Sequence, residues 1–244
     1  MPATLAELRA ALPGVSRPAP AALRTGLEAV DAHLPGGGFG AGCHEVWPGE
    51  ASAPCEAAAA LFAAYALASG GGPVIWALRR RDLFAPALAE AGLAPGRVIY
   101  AEAGDEASVL AVTEEALRHG GLAGVVAETA KLSLKASRRL QLAAEATGTA
   151  CFVLRWRRPG QPESTGTACL TRWRLTSAPS RAAHGLPRAS WHVELTRCRG
   201  GQPRAWHLEV DDREVDDGAS PHRLRLAEAV AAGAAVADAG RRAA

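Results

Sequence analysis

Lysine is nearly missing from this chain: Lys131 and Lys135 are the only lysines among 27 basic residues. The rest are arginine, and together with the alanine content they read as the imprint of a GC-rich genome, so arginine runs alone carry little functional weight. A net charge of +2 and a pI of about 8.4 are too weak to argue for a nucleic-acid partner. The five cysteines, at 43, 55, 151, 169 and 198, include no C-x-x-C pair and no histidine at ligand spacing, which argues against zinc and for buried thiols in a reducing cytoplasm. The seven histidines have no metal spacing either. No Gly-x-Ser-x-Gly elbow and no Ser/His/Asp or Cys/His triad can be singled out. No uninterrupted apolar run approaches the ~20 residues of a bilayer-spanning helix, and Glu7 and Arg9 interrupt the N-terminal apolar stretch where a signal peptide would need an apolar region. A cytoplasmic protein is expected.

What is there, at 48% hydrophobic over 244 residues, is enough for one α/β domain with a sizeable core. Residues 45–57 have the strand-turn-helix outline of a phosphate-binding P-loop without its chemistry. Such a loop needs glycines so that backbone N–H groups close on phosphate, a lysine for the β/γ-phosphates and a Ser/Thr hydroxyl for Mg²⁺. Here the passage Pro48, Gly49, Glu50, Ala51, Ser52, Ala53, Pro54, Cys55 puts proline at the first glycine, Ala53 at the second, Pro54 at the lysine and Cys55 at the Ser/Thr. Pro54 brings no charge and also removes an N–H from the nest.

Along the chain, Leu5, Leu8 and Leu12 form an amphipathic stripe over 3–12, followed by an extended linker at 16–20. From residue 21 to 212 the pattern is a core. Helices are expected at 27–34, 55–69, 82–91, 108–119 and 134–147, with strands at 44–47, 73–78, 97–101, 123–127 and 150–156. This alternation implies βαβ units and a parallel sheet covered on both faces. Three further strands, 168–175, 191–197 and 204–210, change the character of the last third. A two-residue turn at Gly200-Gly201 would set Glu194 opposite His207, and Pro203 could shift that register by an even number without exchanging faces. Residues 213–244 read as a tail with a helix over 224–237.

This order of parts resembles the RecA core. Gly26 to Asp31 followed by Pro35-Gly36-Gly37-Gly38 is similar to the stretch before the P-loop strand, Gly124 to Glu128 to the Walker B strand, and Ser164-Thr165-Gly166 to Leu175 to the loop and strand after the second mobile loop. The segment Ser137-Arg138-Arg139-Leu140-Gln141-Leu142-Ala143-Ala144-Glu145 is like that of the ImuA family, RecA-like members of the SOS mutagenesis cassette. The resemblance implies an α/β fold with a mostly parallel central sheet and an antiparallel C-terminal extension. It aligns Ala127 with the Walker B aspartate and leaves Glu128 turned to the opposite face. Ala77-Leu78-Arg79 occupies the place where a catalytic carboxylate is expected after the second strand, and Trp156 falls at the switch glutamine. The expectation is a pseudo-ATPase with no cofactor and no metal.

The first mobile loop has no room before Leu134; the second survives, shortened, at 157–166. Arg155, Arg157 and Arg158 could meet phosphates and Trp156 could stack on a base, so any single-stranded DNA binding is expected to be weak; Arg155 and Arg157 as rim residues and Trp156 as core is the plainer reading. Arg79, Arg80 and Arg81 end a buried strand where open sheets place ligands, and they suit an acidic partner surface or simply a solvated turn. The family resemblance implies a non-catalytic accessory role in SOS-induced translesion synthesis, with ImuB and RecA as partners and the Leu5, Leu8, Leu12 helix docking on RecA. A divergent ATP-dependent recombinase and a SulA-like cell-division inhibitor are the alternatives.

Overall fold

A computed structural model describes residues 21–156, 166–179, 189–211 and 223–228. Glycine turns and short apolar runs divide the first of these stretches. A single helical turn, α1 (Glu28–Asp31), leads to β1 (Gly42–Pro48), then α2 (Ala53–Ala68), β2 (Val74–Leu78), α3 (Ala85–Glu90), β3 (Val98–Glu102), α4 (Glu106–His119), β4 (Gly124–Thr129), α5 (Leu134–Thr147) and β5 (Ala150–Arg155). The strands β6 (Thr171–Ala178), β7 (Ser190–Cys198), β8 (Arg204–Asp211) and β9 (Arg223–Glu228) follow.

Local chemistry sets the helix ends. Asp105 accepts the N–H groups of Ala107 and Ser108 at 2.9 and 3.0 Å to start α4, and Ser133 accepts that of Ala136 at 3.1 Å to start α5. Gly148, left-handed at φ 76°, ends α5 where a side chain would strain the backbone. Pro86 sits in the first turn of α3, which begins at Ala85 rather than at 82 because a proline is tolerated only there.

The strand order is β3-β2-β4-β5-β1-β6-β7-β8-β9, parallel from β3 to β6 and antiparallel from β6 to β9. The α/β expectation of a mostly parallel sheet with an antiparallel extension holds. Helix α2 is too alanine-rich to be amphipathic and lies buried on one face of the sheet, where its Phe62 joins Val126, Phe152, Trp173, Trp191 and Trp206 in one cluster. Helices α4 and α5 cover the other face, where Leu117, Leu140 and Ala144 meet Val125, Cys151 and Val153.

Two expectations fail here. The β7–β8 hairpin turns on Arg199-Gly200, with Gly200 at φ 80°, so His207 lies opposite His192 and not Glu194. The shift is by two residues, and Trp191, Val193, Trp206 and Leu208 keep their common face, as alternation requires. The helix expected over 224–237 is contradicted at its start: residues 223–228 form β9, with Leu224 opposite Val210 and Leu226 opposite Leu208. The Arg-Leu-Arg-Leu alternation has period two, which the alanine run after it obscures. The rest of that helix, at 229–237, lies outside the described residues, as do Leu5, Leu8 and Leu12.

Candidate functional site at the strand ends

The turn after β1 is packed shut against β6. The Gly49 N–H donates to the Leu175 carbonyl at 2.5 Å, and a Cβ at Gly49 would stand 1.9 Å from Thr176 Oγ1. Glycine is therefore needed for the close approach of two strands. Ser52 is the residue before α2 and makes no side-chain cap. Pro54 occupies the first turn without an N–H to offer, and Ala53 and Glu50 point to solvent. The Cys55 thiol is buried and accepts the Ser177 N–H at 3.3 Å, so it faces β6 and no open site.

Beside this turn, at the C-terminal ends of the parallel strands, Glu56, Arg79, Arg80, Asp82, Glu128 and Trp156 line a cavity of about 210 Å³. This corrects the expected orientation of Glu128. Val126 packs among the α2 residues and Ala127 against Val109 of α4, so strand alternation puts Glu128 on the α2 side, facing the cavity, and Ala127 away from it. Glu128 is 3% exposed, and its Oε1 accepts the Trp76 indole N–H at 2.6 Å. Burial pushes its pKa up to about 7, the indole opposes the rise, and the neighbouring Asp82 and Glu56 carboxylates add to it. Arg79, Arg80 and Arg81 are all exposed; the first two rim the cavity, while Arg81 lies over the Tyr100 ring at 5.9 Å. Among the described residues, no group of three or more His, Cys, Asp or Glu is placed to hold a metal, and no helix is long and apolar enough to cross a membrane.

Arg155 is not available to a phosphate. It is 3% exposed, its Nη1 lies 2.6 Å from Glu45 Oε1, its Nη2 donates to the Ala130 carbonyl at 2.8 Å, and its guanidinium sits 4.3 Å over the Trp47 ring. Glu45 is fully buried, and its second oxygen accepts Thr167 Oγ1 at 2.8 Å and Arg172 Nε at 3.0 Å. Burial lowers the Arg155 pKa and Glu45 draws it back. Both feet of the 157–165 segment are thus tied to one carboxylate, and Arg157 and Arg158 themselves lie outside the described residues. Trp156, on the opposite face from Arg155, is half-buried in the cavity wall. Glu45 does not stand out by any motif; its one signal in the sequence is an acidic residue in the middle of a short apolar strand.

No protein-family model matches this sequence. The protein ImuA of Caulobacter vibrioides, in strains NA1000 and CB 15 alike, is 40% identical to it over 245 aligned positions, covering 94% of this chain and 98% of the relative. Among solved structures, the crystal structure of the RadB recombinase superposes with a TM-score of 0.56 at 17% identity, over 75% of this chain and 94% of that one. That likeness establishes a RecA-like fold, and the ImuA likeness runs almost end to end in both sequences. The chain belongs to the ImuA family.

Proposed function

We propose that this chain is a non-catalytic RecA-like accessory protein of SOS-induced translesion synthesis, acting by binding ImuB and RecA. The observation that carries the reading is the closed turn after β1. Its one surviving glycine packs on Thr176, its lysine position is Pro54, and its hydroxyl position is a thiol engaged by Ser177. A nucleoside triphosphate with Mg²⁺ needs a nest of N–H groups, a cation and an oxygen ligand there, and these residues do not fit it. The position of Glu128 favours a second reading, a divergent ATP-dependent recombinase, because one carboxylate does stand on the α2 face. Isothermal titration with ATP and Mg²⁺ separates the two: no saturable heat is expected, and micromolar saturation would favour the recombinase. The binding role itself is tested by co-purification with ImuB and with RecA, each alone; failure to retain either would overturn it.

A further inference from the structure

We propose that the cavity at the strand ends is a recognition pocket for a guanidinium, the side chain of an arginine presented by a partner protein. The inference deepens the binding role proposed above and rests on it. The floor is Glu128, 97% withdrawn from solvent, with Oε1 held by the Trp76 indole and Oε2 meeting no donor among the described residues. Glu56 from α2 and Asp82 from the β2–α3 connection add two more carboxylates, while Trp156 supplies an aromatic wall. A planar cation that donates to carboxylate and stacks on an indole satisfies all of these at once. A phosphate would meet Arg79 and Arg80 but also three carboxylates, Glu56, Asp82 and the buried Glu128, and the described groups are not arranged to hold a metal.

Arg79 and Arg80 refine the partner. They stand exposed at the mouth, whereas Glu128 is buried and has no ion pair among the described residues. Like charges at the mouth disfavour a uniformly basic segment and select an arginine set among acidic or neutral neighbours. Because Glu128 ionises near pH 7, the entering cation should bind about tenfold more tightly at pH 8 than at pH 6.

The test uses the full chain and N-acetyl-L-arginine amide, followed by the NMR signals of the Trp76 and Trp156 indole N–H groups. Saturable shifts at pH 8 are expected, weaker at pH 6, with none from the neutral isostere N-acetyl-L-citrulline amide. Glu128→Gln keeps an oxygen for Trp76 and should lose at least about tenfold in affinity; Asp82→Asn, at an exposed site that leaves the fold intact, should lose severalfold. Equal shifts from the citrulline probe, or undiminished binding by both variants, would overturn the proposal. So would shifts from deoxyguanosine monophosphate with none from the arginine probe, which would make the pocket a base site. Saturable ATP binding sinks the parent reading, whereas silence toward both ATP and the arginine probe sinks this inference alone.

Discussion

Glu45 lies in a strand covered on both faces, where a lone carboxylate would carry a desolvation cost of several kcal/mol, and Arg155 with Arg172 answers its charge. Removing Arg155 leaves the fully buried Glu45 with Arg172 as its remaining counter-charge and its Oε1 without a donor. Arg155→Ala should therefore destabilise the domain by about 3–5 kcal/mol in urea unfolding, whereas a rim residue reserved for DNA would change stability by less than about 0.5 kcal/mol. Glu128 gives the opposite case, a buried carboxylate with no ion pair among the described residues. Its folded pKa lies above the unfolded value, so its contribution is complete below about pH 4.5 and is lost as pH rises through about 7. Glu128→Gln removes that dependence. The variant should gain on the parent between pH 5 and pH 8, by as much as about 3 kcal/mol, in denaturant melts across that range; parallel curves would mean that Glu128 is already ionised at pH 5.

Among the elements, α5 was legible to the residue because its signals are local: a serine before it, a glycine after it and an apolar stripe between. The last strand was not. Period two over six residues competes with a following run of alanines, and what decides is the β8 edge, which offers Leu224 a place opposite Val210. Leu224→Asp should lower the thermal midpoint by several degrees, as a charge set into a buried position at the sheet's end costs about 2–3 kcal/mol. Arg225→Ala, on the other face with Glu209 as its partner at 2.7 Å, should cost less than about 1 kcal/mol. Equal, small effects from both would indicate that the strand does not pair in this way.

For the whole molecule, the buried cluster among the described residues runs without a break from Leu23 to Leu224. A helix as short as 3–12 is marginal in water unless it packs. Deleting residues 1–15 should leave the thermal midpoint nearly unchanged while weakening association with RecA in a pull-down. A drop of many degrees with RecA binding intact would assign the helix to its own core.

The sequence by itself determined the order of helices and strands as far as β8, the parallel sheet with its antiparallel extension, and the lack of lysine and of every glycine but Gly49 at residues 48–55, because periodicity, caps and residue identity are local properties. Only the tertiary structure decided which face Glu128 occupies, since one step of register along β4 exchanges Ala127 for Glu128 at the cavity. It alone joined Glu45 to Arg155, separated by 110 positions, and so withdrew Arg155 from solvent. Pairings that distant depend on how β1 and β5 come to lie side by side, and no local pattern in the chain encodes that.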